Sequence, residues 1–451
     1  MAGETRALAE FAAGLRYEDI PAPVIAMTKS CVIDAVAVAL FGSTLPWSKS
    51  VETFARHIGP QGASTILTAL LPRASAPAAA LANGTFAHAF EFDNLRQPSV
   101  GVHPGSTATV GALAVAEEYG ASGRDFLTAL VAGNECMLRT GLAAKQTSEM
   151  MGFHVPGQTG VFGAAIAASR ILKHDAQRTT MAIGIGGSLC SGLLAFAKAG
   201  NGGMVKRLHM GRAAEGGVTA AYLADRGFEG PDVLLEGKFG YLDVYARNGD
   251  AKLLTDGLGT RWESLNIWFK MFPCHITAQA PVRAIRQLQR GHGFAPRDVS
   301  KIVVEASEKV LSHHAERAPR DVGTAQYSVP FSVALAVFRD PADPRAFLDG
   351  PQQDPAILDL CKRVELRRHE GPLAVGHNAS CRVEVVLKDG RSVAVAKTDF
   401  DDGDGGESLE QRIEQKFRNL SASLPDDKRE ALLARLKSVE RQDNVARLFA
   451  L

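Results

Sequence analysis

Lys270-Met271-Phe272-Pro273-Cys274-His275 holds a cation and an imidazole at a proline-stiffened turn. An apolar, aromatic run precedes it (Trp262, Ile267, Trp268, Phe269), and a strongly helical segment, Thr277 to Gln289, follows. The pattern predicts an extended segment that ends where a helix begins. A helix N-terminus offers unsatisfied N–H groups and partial positive charge. Such a corner suits a carboxylate ligand, and a proton could be moved there. Three other stretches resemble it: Val102-His103-Pro104-Gly105-Ser106, Gly152-Phe153-His154-Val155-Pro156-Gly157 and Lys206-Arg207-Leu208-His209-Met210-Gly211. Each reads as a turn that presents a His or Lys at or near a helix start, where an anion is favoured. Glu91-Phe92-Asp93-Asn94 closes a further helix with two carboxylates.

Other chemistries find little support. There is no Walker A loop, no dinucleotide fingerprint and no H-E-x-x-H. Gly184-Ile185-Gly186-Gly187 is the nearest approach to a phosphate loop, yet Asp175 to Ile183 before it reads as helix rather than strand. Cys274 stands beside His275, but adjacent residues rarely orient as nucleophile and base. No Ser-His-Asp arrangement and no metal-ligand spacing stand out. Cations to hold carboxylates and imidazoles to move protons remain. That inventory suits removal of a C–H proton next to a carboxylate or imine, followed by elimination, decarboxylation or reprotonation. Lys or Arg would stabilise the developing enolate-like charge.

The elements that must position these residues change along the chain. A length of 451 residues exceeds what one core usually serves, so two domains are expected. Residues 1–265 read as helix after helix, rich in Ala and Gly, with a small-residue stripe at Gly160, Gly163, Ala164 and Ala167 that suits close helix packing. Ser75 and Pro77 open one helix, and Ser106 to Tyr119, Thr159 to Leu172 and Ala213 to Asp225 form others. Lys301 to Ala306, Cys381 to Leu387 and Ser392 to Lys397 read as strands, the last two joined by an Asp389-Gly390 hairpin. Helices are interleaved at 277–289, 328–338 and 355–362. Asp401 to Gly406 reads as a flexible acidic linker, and helices resume after it. The fold class is therefore mainly α with an inserted α+β domain. A large helical bundle comprises 1–265 and 405–451, and a smaller α+β lid domain comprises 266–404.

Composition narrows partners and location. Hydrophobic residues make up 46% and charged residues 22%, as in ordinary globular proteins. A net charge of +1 gives no footprint for nucleic acid or an anionic membrane. Six scattered cysteines without C-x-x-C suit free thiols in a reducing compartment. The start lacks a basic segment followed by an apolar one. The apolar run Val32 to Phe41 contains Asp34 and is too short to span a bilayer. A cytoplasmic protein is expected.

His88-Ala89-Phe90-Glu91-Phe92-Asp93, His103-Pro104-Gly105, Lys206 to Gly211 and Lys270 to His275 together resemble the MmgE/PrpD family. That family includes 2-methylcitrate dehydratase, cis-aconitate decarboxylase and iminodisuccinate epimerase. The four motifs occur in the family's order, and the resemblance covers nearly the whole chain. It implies a large helical domain with an inserted α+β domain, a site between them, a homodimer, and no metal or organic cofactor. It assigns catalytic roles to His103, His154, Lys206, Lys270, His275 and Tyr327. Glu91, Asp93, Arg207 and His209 fall to substrate binding, and His88 reads as a packed residue. Two departures stand out. The family usually shows Asp-Phe-Asp-Asp-Thr where this chain has Glu91-Phe92-Asp93-Asn94-Leu95, and the stretch Arg96 to Val102 is longer than in decarboxylase-like members. These changes fall where substrate contacts are expected, which makes a non-citrate substrate plausible. The expected function is a cofactor-independent lyase on a small di- or tricarboxylate, 2-methylcitrate dehydratase-like. An epimerase of the iminodisuccinate type, a cis-aconitate decarboxylase and a non-catalytic carboxylate-binding protein are the alternatives, in that order.

Overall fold

The computed structural model describes residues 3–145, 147–197, 203–370, 380–397 and 407–451. The segment 401–406, read from the sequence as a linker, lies outside them. The chain divides into two compact units. One comprises Met1–Ala89, Asp93–Phe269 and Ile413–Leu451; the other comprises Phe90–Phe92 and Lys270–Arg412.

The first unit is a helical bundle around two nearly all-apolar helices. Ala22–Ser43 starts at Pro21, where a missing N–H costs nothing, and its residues from Cys31 to Leu40 are all buried. By length and hydropathy it could cross a membrane; here it is a core helix packed on Ala76–Ala87. A helix apolar on every side must be enclosed. Ala76–Ala87 begins after Ser75 with Pro77 in its first turn, as its sequence predicts. It crosses Val205–Asp225 where glycines meet. A Cβ on Gly84 would stand 2.9 Å from the Gly211 Cα, and one on Gly211 would stand 2.2 Å from the Leu81 carbonyl oxygen. The small-residue stripe serves the same purpose: Gly160 faces Thr107 and Ala213, and Gly163 faces Met137 and Ala108. Gly184 and Gly187 end the Ala176–Gly187 helix, where they pack against Pro231 and Leu234.

The tail returns to this unit. Asp426–Lys437 packs on Ala22–Ser43, Val445–Phe449 packs on Val110–Tyr119, and the Lys416 ammonium reaches Asp34. Two sequence readings are corrected here. Ser106 to Tyr119 is not one uniform helix: Gly105–Thr109 forms a π-helical turn before Val110–Tyr119. Lys206, Arg207 and His209 do not precede a helix but lie within its first turns, because Val205–Asp225 starts eight residues earlier than its Ala-rich part suggests.

The second unit carries a four-stranded sheet in the order Val364–Arg368, Val299–Ala306, Cys381–Leu387, Ser392–Lys397. The first pair is parallel and the rest antiparallel. Gly390, at φ 88, supplies the left-handed residue of the hairpin. Ile276–His292 covers Cys381–Leu387 and Ser392–Lys397, with Val329–Phe338 packed behind it. Val364–Arg368 has no counterpart in the sequence reading. It is an edge strand in which only Val364 is buried, so charged residues replace the alternation that marks a half-buried strand.

Candidate active site

In the helical unit one carboxylate gathers three donors. Asp93 is fully buried directly after the Ala76–Ala87 helix and the turn that follows it. Its Oδ2 accepts from Nδ1 of His88 at 2.8 Å, Nδ1 of His103 at 2.9 Å and Oγ of Ser106 at 2.8 Å. Burial alone would raise the Asp93 carboxyl, yet His88 and His103 hold it well below the usual carboxylate range. An ionised Asp93 fixes both rings as Nδ1–H tautomers and leaves each Nε2 as a bare lone pair. The two rings then differ in access. His88 is buried, and its Nε2 has no hydrogen-bond partner among the described residues. Burial, with Lys206 nearby, lowers its pKa to about 3. The His103 side chain is 11% exposed, and it sits two residues before the π-helical turn, a distortion common at functional sites.

A second imidazole pair lies beside the first. His154 sits at the N-cap of Val155–Ile171, as the proline-marked turn predicts, and its backbone N–H donates to the Gly192 carbonyl. Its Nδ1 is 3.0 Å from Nδ1 of His209, so one ring donates and the other accepts. Burial first, and then the neighbouring imidazoles, hold His154 well below its ordinary value. Burial and the Lys206 ammonium lower His209. The Phe196 ring packs edge-on against both. Arg207 stacks on Trp47 at 4.5 Å and donates to the Ala89 carbonyl, which braces the chain just before Glu91.

The second unit brings together the other group. Lys270 Nζ lies 3.0 Å from Glu91 Oε2, and the Tyr327 hydroxyl lies 3.3 Å from Glu91 Oε1. Glu91 adopts φ 55, a left-handed conformation costly for a residue with a Cβ. A ligand carboxylate at Lys270 would therefore compete with one the chain itself supplies. The Met271–Cys274 turn is held by Gln279, which accepts from the Met271 and Phe272 N–H groups and donates to the Phe272 and Cys274 carbonyls. Gln326 donates to the carbonyls of Phe90 and Pro273. His275 caps the following helix through Thr277 and stacks on His314 at 4.2 Å. His314 donates from Nδ1 to the Tyr327 carbonyl, and burial lowers its pKa to about 4. Cys274 is buried and its thiol is pushed up to about 12, which rules against a thiolate nucleophile.

The sequence singled out His103, His154, Lys206, His209, Asp93 and Arg207, which fall in the helical unit, and Glu91, Lys270, His275 and Tyr327, which fall in the second. It missed His88 as a partner of Asp93, and Ser106, His314, Gln279 and Gln326. Asn94 and Leu95, which the sequence places where substrate contacts are expected, are engaged by the chain itself. Both are buried, Leu95 pairs with Trp268 in a short antiparallel ladder, and the Asn94 amide is engaged by Asp34 and Gly105. Among the described residues, His88, Asp93 and His103 are also the group whose ligand-type atoms lie within 4.8 Å. Their Nδ1–Oδ2 separations are those of hydrogen bonds, and a cation taking those atoms would have to displace the bonds.

Two family descriptions match this chain in sequence: MmgE/PrpD N-terminal domain over residues 6–254, and MmgE/PrpD C-terminal domain over residues 272–440. A cis-aconitate decarboxylase-like protein of Aspergillus oryzae is 28% identical, over 99% of this chain and 96% of its own length. The cis-aconitate decarboxylase of Aspergillus terreus is 27% identical over 95% of this chain and 91% of its own. The human cis-aconitate decarboxylase is 27% identical over 95% and 90%.

Proposed function

The chain belongs to the MmgE/PrpD family, and we propose that it is a lyase that acts on a small tricarboxylate by moving a proton at carbon, with His103 as the group that moves it. The observation that carries this reading is the tether of two imidazoles to one buried, ionised carboxylate. The tether leaves Nε2 of the more accessible ring, His103, as the atom that gains or gives a proton. Asp93 orients that ring and balances its charge while protonated.

In a decarboxylation, the carbon–carbon bond to the departing carboxylate breaks and CO₂ leaves. The electron pair remains on the substrate carbon skeleton, and a protonated His103 delivers H⁺ to it. In a dehydration, the same Nε2 removes a C–H proton, the pair left behind forms the double bond, and the departing hydroxide takes up that proton and leaves as water. Lys206, Lys270 and His275 are the candidates for holding carboxylates and offsetting developing negative charge. Decarboxylation of a cis-aconitate-like acid now stands ahead of dehydration of a 2-methylcitrate-like acid, the reverse of the order the motifs alone suggest. Relatives aligned over nearly the whole chain carry that name.

Turnover in deuterated water separates the outcomes. Release of CO₂ with one deuterium in the product is expected from cis-aconitate. Loss of water from 2-methylcitrate would favour dehydration, and exchange without loss of either would favour epimerisation. No exchange and no turnover across a polycarboxylate panel would overturn the reading.

A further inference from the structure

We infer that Asn94 is a positioning residue, one that transmits a buried Asp34–Lys416 ion pair to the turn carrying His103. Asp34 is a carboxylate inside the apolar core helix Ala22–Ser43, with 1% of its surface exposed. Lys416, on the helix Leu409–Leu420, is also buried and places Nζ 2.6 Å from Asp34 Oδ1. The second Asp34 oxygen accepts from Asn94 Nδ2 at 2.9 Å. The Asn94 oxygen in turn accepts from the Gly105 N–H at 2.9 Å. The fit is close, since a Cβ on Gly105 would lie 2.5 Å from Asn94 Nδ2.

Adjacent side chains thus clamp one turn from two directions. Asp93 takes the His103 ring and the Ser106 hydroxyl, and Asn94 takes the Gly105 backbone. An amide is the side chain this position needs. It must donate to Asp34 and accept from Gly105, and an ionised carboxylate can only accept. The other ionisable groups that bear on Asp34 are Lys416, Asp93 and, on its own helix, the Cys31 thiol, which burial pushes well up.

The inference rests on the role proposed for His103, so its test includes a readout that needs no substrate. In Asn94→Asp, two buried carboxylates would face each other and must share a proton. The turn should hold at low pH and loosen as that proton leaves. The ratio of variant to parent kcat should fall about tenfold or more between pH 6 and pH 8, with KM little changed, as expected for a misplaced catalytic group. The ¹⁵N signals of histidine-labelled protein should show His103 losing its fixed tautomer over the same range. Exchanging the pair, Asp34→Asn with Asn94→Asp, restores one donor and one acceptor and should flatten the ratio.

An Asn94→Asp protein with parental kcat and unchanged His103 signals at both pH values would overturn the inference. So would an exchange variant that folds yet stays as impaired as Asn94→Asp. If the parent turns over no polycarboxylate, the proposed function fails while the His103 signals still decide the positioning role.

Discussion

Asp93→Asn removes one charge and little volume, and its effect follows from the three bonds that Oδ2 accepts. Hydrogen bonds to a charged group contribute about 1.5–3 kcal/mol each, against about 1 kcal/mol for neutral ones. If an Asn oxygen kept all three donors, each bond would weaken by roughly 1 kcal/mol, a loss on the order of 3 kcal/mol. If the amide turned its NH₂ towards them, at least one imidazole would have to switch tautomer. In that state His103 presents Nε2–H rather than a lone pair, and kcat should fall on the order of 10²–10⁴-fold, with KM nearly unchanged. The pH dependence adds an independent check. The folded Asp93 pKa lies well below the ordinary 3.8, so between those values the unfolded chain binds a proton that the native one does not. This stabilisation is present above pH 3.8 and is lost as pH falls through the folded value. Denaturant unfolding at pH 7 and at acid pH, with steady-state kinetics on the variant, measures both effects. A folded Asp93→Asn enzyme with kcat within about threefold of the parent and an unfolding free energy close to the parent's at pH 7 would refute the tether argument, because each orientation of the amide must lose one or the other.

His103→Gln should lower kcat about 10²-fold or more, since general acid–base transfer contributes that much. His154→Gln, which keeps an amide able to pair with His209, should retain kcat within about tenfold; a larger loss in His154→Gln than in His103→Gln would reverse the assignment. Lys270→Met leaves the Glu91 carboxylate without its 3.0 Å cation and should cost about 3 kcal/mol of unfolding free energy, most of it recovered by adding Glu91→Gln. Equal melting of the single and double variants would contradict that pairing. His88 and His314 have folded pKa values of about 3 and about 4, below the ordinary 6.5. The unfolded state therefore binds more protons from pH 6.5 downward, and stability should fall as pH drops through that window. The expected slope is about 1.4 kcal/mol per pH unit per histidine, and a flat denaturation midpoint between pH 7 and pH 5 would disprove it.

What the sequence disclosed depended on whether the signal was local. Lys270 and His275 were placed on either side of a turn because proline, an aromatic run and a helical stretch lie next to one another. His154 at a helix start was legible for the same reason, and so was the Asp389-Gly390 hairpin. His88 reads as packed and is buried, but its bond to Asp93 leaves no mark on the sequence, because its ring looks like part of an apolar helix end. Only the fold brings Asp93 back onto it across the Phe90–Phe92 turn. Asp34 was visible as a charge within an apolar run, but its cation is 382 residues away in sequence. No periodicity carries that distance. The strand Val364–Arg368 escaped because its register comes from Val299–Ala306 rather than from its own alternation.

That distance has a consequence for synthesis. At roughly 5–20 residues per second, the ribosome completes Lys416 roughly 20 to 80 s after Asp34. The whole of the second unit is translated in the interval. During it the nascent core helix carries a carboxyl group that an apolar interior would reject unless it were protonated or still wet. Closure of the bundle around Asp34, and with it the final seating of Asn94 and the His103 turn, must therefore wait for the segment that carries Lys416. Chaperone binding and quality control would meet this protein as a nearly assembled bundle whose His103 turn is among the last parts to set.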